Sequence, residues 1–209
     1  DLKKVLSNVK TRGILGEIQL GAILQELLTP DQYAENIATR PGSTQRVEFA
    51  LKLPGDGEQP VWMPIDAKYP ADAYEALLDA YDTADPAQVD AAAKELDRRV
   101  RSFAKDIHDK YIEPPATTDF GVMFLPVEGL YAEVVRRGTA QRIQQDYKVV
   151  VAGPTTMSAL LNSLQMGFRT LAIQKRSGEV WGVLGRVRTE FDTYAEALSQ
   201  TQNRLNQAT

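Results

Sequence analysis

The chain has no cysteine and only one histidine, His108. The first absence removes disulfides, thiolate nucleophiles and Cys-based zinc sites together. The second leaves no material for a His-rich metal site and argues against a Ser-His-Asp triad centred elsewhere. No run of about eighteen apolar residues is present, so nothing reads as a membrane-spanning helix. No signal-peptide pattern is visible. The sequence opens on the polar, helix-like Asp1-Leu2-Lys3-Lys4-Val5 and lacks an initial Met, so it is expected to be cut from something longer. Any chemistry must run on carboxylates, Lys, Arg and Tyr. That donor set favours hard, oxygen-ligated cations such as magnesium or manganese.

What is present is an ordinary globular composition. Of 209 residues, 43% are hydrophobic and 25% charged, enough for one good-sized domain with an extended appendage. The net charge of −4 argues mildly against strong non-specific DNA affinity, because dedicated nucleic-acid binders are usually basic. Charge can be segregated, however. Basic residues cluster in Arg98-Arg99-Val100-Arg101, in Arg136-Arg137, and in Lys175-Arg176 followed by Arg186 and Arg188.

Val5, Val9, Gly13, Gly16, Leu20, Ile23 or Leu24, and Leu27 recur at helical spacing, so residues 2–28 read as one amphipathic helix ended by Thr29-Pro30-Asp31. Glycines at 13, 16 and 21 would each weaken an isolated helix by about 1 kcal/mol. They make better sense where another element packs closely. Strand-like runs follow at 33–39, 46–53 and 61–68, the last two separated by the turn signal Pro54-Gly55-Asp56-Gly57-Glu58. Residues 71–84 and 86–112 read as Ala-rich helices, the second opened by Asp85-Pro86. Runs 121–125 and 148–152 are buried-strand candidates. Short helices are expected around 128–137 and after it, and a longer one over 155–173. Phe191, Tyr194, Leu198 and Leu205 stand at near-heptad spacing in a polar tail, the pattern of a coiled-coil stub. These readings give a core over 1–184 and a helical segment over 185–209.

If 46–53 and 61–68 form an antiparallel hairpin centred on Gly57, residues equidistant from it face each other. Val47, Phe49, Leu51 and Leu53 then meet Ala67, Ile65, Met63 and Val61, an entirely apolar face. On the other face Glu48 lies opposite Asp66, and Lys68 follows on Asp66's side because side chains alternate. Opposed carboxylates, with Cβ atoms roughly 5 Å apart, repel unless a proton or cation sits between them. An acid on one strand and Asp-x-Lys on the next suits metal-assisted phosphodiester hydrolysis. An Asp-x-Lys triplet alone is more often the mark of a solvated strand face, and the second acid in register brings the two readings level. Pro64 removes one ladder donor and points to an edge or a bulge.

Four separated segments resemble the RmuC family of DNA recombination proteins: Gly13-Ile14-Leu15-Gly16-Glu17 with Leu20; Ile65-Asp66-Ala67-Lys68; Phe124-Leu125-Pro126-Val127-Glu128-Gly129-Leu130-Tyr131; and Ala152-Gly153-Pro154-Thr155-Thr156. They occur in the right order across roughly residues 5–195. The resemblance implies a restriction-endonuclease-like α/β fold, a mixed sheet flanked by helices, with the pattern acid…(Asp/Glu)-x-Lys and often a helical Glu before it. By position, Glu17 matches the helical acid, Glu48 the first strand acid, and Asp66 and Lys68 the second half-motif. The first strand acid of that group is usually an Asp following Pro, whereas Arg46-Val47-Glu48 stands here. The membrane anchor and long coiled coil expected upstream in such proteins are not in this sequence.

The expected function is therefore a DNA recombination or repair protein whose core cleaves phosphodiester bonds with magnesium or manganese. Glu48 and Asp66 would hold the metal, and Glu17, Glu48, Asp66 and Lys68 would form the catalytic set. The alternative is a non-catalytic scaffold that binds DNA or a partner and assembles through the coiled coil as a homo-oligomer. The expected location is cytoplasmic, with any membrane anchor belonging to a longer parent protein. His108, Arg136 and Arg137 are candidate DNA contacts, but each also reads as an ordinary helix or surface residue. Glu128 is either a group at a strand end or a first-turn acid favoured by the helix dipole. Trp62, on the acidic face, could stack on a base or cover a helix.

Overall fold

The computed structural model describes residues 9–54 and 59–167. Residues 55–58 of the expected turn, the coiled-coil stub, Lys175, Arg176, Arg186 and Arg188 lie outside the described residues, as does the boundary expected at 184. The chain divides into two compact units, Asp1–Asn162 and Ser163–Thr209. The first carries every strand and named helix described below.

Helix α1 (Val9–Leu27) leads into a meander of β1 (Tyr33–Ile37), β2 (Val47–Leu53) and β3 (Val61–Ala67). Helices α2 (Ala71–Thr83) and α3 (Pro86–Tyr111) then cross over to β4 (Gly121–Phe124). A second crossover, α4 (Glu128–Arg136) and α5 (Thr139–Tyr147), returns the chain to β5 (Val149–Ala152), and residues 154–167 are helical. The five strands form one mixed sheet in sequence order. β1, β2 and β3 pair antiparallel, whereas β3, β4 and β5 pair parallel. The architecture is mixed α/β, with helices on both faces of the sheet. No helix among the described residues is long and apolar enough to cross a membrane.

The hairpin register is the one the turn spacing predicts: Phe49 faces Ile65, Leu51 faces Met63 and Leu53 faces Val61. The apolar face of this ladder lies under α1. A Cβ on Gly21 would come within 3.2 Å of the Phe49 ring, and one on Gly16 within 3.4 Å of Pro126 and 3.6 Å of Ala67. Two of the three helical glycines thus mark the close approach that their composition suggests. Gly13 has no neighbour within 4 Å and takes no part in it.

The opposite face is roofed by the other helices. Ala50, Met123, Val149 and Val151 form one core with Leu96, Val100 and Ile107 of α3, Leu130 and Val134 of α4, and Ile143 of α5. Trp62 is half-buried against this core, so it covers helix rather than standing open to a base. Asp85 starts α3 as its sequence implies: the side chain accepts a hydrogen bond from Ala87 N–H at 2.9 Å, and Pro86 occupies the first turn.

Pro64 is the one local expectation that fails. It sits in β3, the central strand, with neither an edge nor a bulge. Backbone groups of successive strand residues point to opposite neighbours. Trp62 N–H donates to Ala116 C=O and Lys68 N–H to Phe124 C=O, so even-numbered residues of β3 point towards β4. Pro64 therefore lacks its donor where β4 has not yet begun; the parallel register starts at Ile65 and Val122. The β2–β3 ladder loses nothing.

Glu128 and Gly153 join the two crossovers. Glu128 opens α4, yet its Oε1 accepts Thr155 N–H at 2.6 Å, so the carboxylate also satisfies the start of the 154–167 helix. A Cβ on Gly153 would lie 2.8 Å from Glu128 Oε2 and 2.9 Å from the Tyr131 ring. We expect Gly153→Ala to destabilise the protein by about 1–3 kcal/mol through overpacking, whereas Gly13→Ala should be neutral or stabilising. Chemical denaturation of the two variants checks this: equal midpoints would show that the Gly153 junction is not tight.

Candidate functional site

The end of β3 is built for a confined pair of acids. Strand alternation puts Asp66 on the face roofed by α3, where it is only 2% exposed. In register with it across the hairpin stands the half-buried Glu48. Ala67 N–H points to the β2 side and donates to Glu48 Oε2 at 2.9 Å, so the side chain completes a ladder that would otherwise end there. Lys68, two residues on from Asp66 and on the same face, places Nζ 2.6 Å from Asp66 Oδ2. The strand then stops: Lys68 N–H bonds Phe124 C=O, and Tyr69-Pro70 turns the chain into α2.

Electrostatics sets the protonation of this pair. Burial is the largest influence on Glu48 and raises its pKa from 4.5 to about 7; the Asp66 charge adds to the rise, against the Ala67 hydrogen bond and Lys68. Asp66 is likewise raised, first by burial, with Lys68 and Lys110 pulling the other way. Tyr111, at the end of α3, is pushed up to about 12 by burial and by the charges of Asp66 and Glu48. The end of α3 is fixed above the acids by the β1–β2 loop. Thr39 Oγ1 donates to Tyr111 C=O at 2.8 Å, Arg40 pairs with Glu113 at 2.6 Å, and Arg40 also donates to Asp109 C=O.

Of the residues singled out from the sequence, Glu48, Asp66 and Lys68 are brought together. Glu17 is not part of the contact set. It lies on α1, lining a cavity with Gly21, Glu35 and Phe49, and its charge is felt at both acids as a further upward push. Among the described residues no group of three or more His, Cys, Asp or Glu side chains is close enough to hold a metal. Glu48 and Asp66 are thus a two-carboxylate set. Their raised pKa values come first from burial, with the Asp66 charge adding at Glu48 and Lys68 pulling both the other way.

His108 is half-buried in the last turn of α3, and its Nδ1 is buried without a hydrogen-bond partner. Arg136 and Arg137 end α4. Each bonds Glu133 and the Tyr81 hydroxyl. Lys110 and Tyr111 bear on the acids without having been legible as site residues; nothing in the sequence says where the end of a long helix will land.

The family profile of RmuC matches residues 1–209. The chain belongs to the RmuC family. It is 54% identical over 209 residues to two proteins called DNA recombination protein RmuC homolog, from Xylella fastidiosa strains Temecula1 and 9a5c. The match takes in 99% of this chain and 46% of each relative, so the chain spans about half the length of the curated RmuC relatives it matches. No solved structure matches it.

The acid pair has a pH signature. The folded protein holds the Glu48 proton up to about pH 7, whereas an ordinary Glu releases it near 4.5. The stability this contributes is fully present below the lower value and is lost as pH rises through the upper one. Glu48→Gln removes the charge and keeps an acceptor for Ala67 N–H. It should raise the melting temperature at pH 8 by an amount equivalent to on the order of 2 kcal/mol, allowing for partial exposure. The gain should shrink towards pH 5. A pH-independent difference between variant and wild type would disprove the upward shift that burial and the Asp66 charge impose on Glu48.

Proposed function

We propose that this chain is the restriction-endonuclease-like core of a DNA recombination or repair nuclease, acting on phosphodiester bonds with magnesium or manganese held by Glu48 and Asp66. The observation that carries the reading is the confined acid pair with its adjacent lysine, on neighbouring strands in register. The family's relatives, called DNA recombination proteins, supply the DNA context. A divalent cation bound there would lower the pKa of a water and offset charge on the phosphate.

The protein's own groups have separable tasks. Ala67 N–H holds the Glu48 carboxylate in place, and burial under Tyr111 keeps bulk water from Asp66. Lys68 stands beside Asp66 and, with its side chain 24% exposed, is able to meet a phosphate oxygen and stabilise the charge that develops on it. Glu17 acts at longer range, as a third negative charge favouring cation binding. His108 is the nearer of the candidate DNA contacts in sequence to the site-covering end of α3. A phosphate contact by Arg136 or Arg137 would exchange their bonds to Glu133 and Tyr81.

The second reading, a core that binds DNA or a partner without cutting, draws on a specific observation: Lys68 is already paired with Asp66, and among the described residues no third acid is close enough to join the pair. Cleavage assays on branched and single-stranded DNA with magnesium or manganese separate the two. Wild type should cut, with Asp66→Ala and Lys68→Ala each losing on the order of 100-fold. Equal cutting by all three would remove the site assignment, and DNA binding without cutting by wild type would favour the scaffold.

A further inference from the structure

The residues that follow Lys68 form one wall of a second recess. Tyr69, Pro70, Ala71, Ala73 and Ala76, at the start of α2, line a cavity of about 290 Å³ whose other wall is α3, with Phe103. The alanines leave the space open, and the half-buried Tyr69 and Phe103 supply two aromatic rings. The polar groups are Asp72, Glu95 and Arg99, with Arg99 Nε 3.0 Å from Glu95 Oε1. Arg98 and Arg99 hold the Glu95 carboxyl at about 2, so it is an ionised acceptor at working pH.

We propose that this recess takes one unpaired nucleobase of the DNA strand whose phosphate lies at Glu48, Asp66 and Lys68, so that the core acts on single-stranded or locally unpaired DNA. This rests on the nuclease-core reading above and adds the substrate class to it. The volume of about 290 Å³ is ample for a base and lies at the lower end of the range that encloses drug-sized ligands, about 300 Å³ and upward. Aromatic walls stack on the π-face that every base presents. Carboxylates at the polar side repel phosphate, yet they accept from the exocyclic amino groups of cytosine and adenine, while Arg99 can donate to ring acceptors. The location fits as well. Tyr69 is joined directly to Lys68, with Cα atoms about 3.8 Å apart, so recess and acid pair are served by one turn of chain. A base inside a duplex cannot reach such a recess without leaving the stack.

The test is a cycle that deletes the base and the ring separately. Affinity of the whole chain, in EDTA to prevent cutting, is measured by fluorescence anisotropy for a short oligo-dC strand, for the same strand with abasic residues, and for duplex DNA. Wild type should bind oligo-dC about 10-fold more tightly than the abasic strand, the size expected of one stacked base. In Phe103→Leu and in Tyr69→Leu that ratio should fall towards one, with duplex affinity unchanged; two variants on different elements guard against a folding defect in either. Wild type that binds oligo-dC and the abasic strand equally, or variants that keep the full ratio, would overturn the base recess while leaving the nuclease-core reading standing. Wild type that binds none of the three DNAs would also overturn the base recess, and the nuclease-core reading stands or falls on the cleavage assay.

Discussion

Asp66 and Glu48 would drive the two strands of the hairpin apart if they stood alone. Four things prevent this: the apolar ladder on the opposite face, the Ala67 hydrogen bond to Glu48, the Lys68 charge beside Asp66, and a helix end that closes over both acids. Removing water raises the cost of each charge, so the same burial that organises the pair also lifts both pKa values. Hydrophobic packing over the rest of the sheet supplies the stability against which this repulsion is held.

Topology decides what else reaches the pair. β3 and β4 are parallel, so their ends are adjacent, and both following connections leave from that edge of the sheet. Parallel α/β arrangements gather functional groups there because loops and helix starts converge at the strand ends. The α2 start, with Tyr69 and Pro70, and the α4 start, with Glu128, are products of this rule. The ends of the returning helices are not. Arg136 and Arg137 read in the sequence as a solvated face or a DNA-backbone contact, and at the end of α4 they are held in a cluster with Glu133 and Tyr81.

Much of the acid pair is legible in the sequence because it depends on two local rules. Side chains alternate along a strand, and a Pro-Gly-Asp-Gly turn fixes the centre of a hairpin; together they put Glu48 opposite Asp66 and Lys68 beside it. Pro64 was misleading for a reason that is not local. Whether a missing N–H matters depends on which neighbour it would have faced, and that neighbour, β4, arrives only after two helices. Glu17 shows the limit from another side. Its place on α1 was clear, but its separation from the strand acids depends on how α1 crosses the sheet.

The sequence by itself determined the element order, the hairpin register and the identity of two acids and a lysine on one strand face. Those features follow from side-chain period and turn chemistry within short stretches of chain. Only the tertiary structure decided that Asp66 is buried while Glu48 is half-buried, that Tyr111 stands near both and Lys110 acts on Asp66, and that Arg136 and Arg137 are tied to Glu133 and Tyr81. Each of these is set by where a helix end comes to rest over the sheet. That position is fixed by packing and by links such as Thr39 to Tyr111 and Arg40 to Glu113, between residues far apart in sequence and invisible to any local pattern.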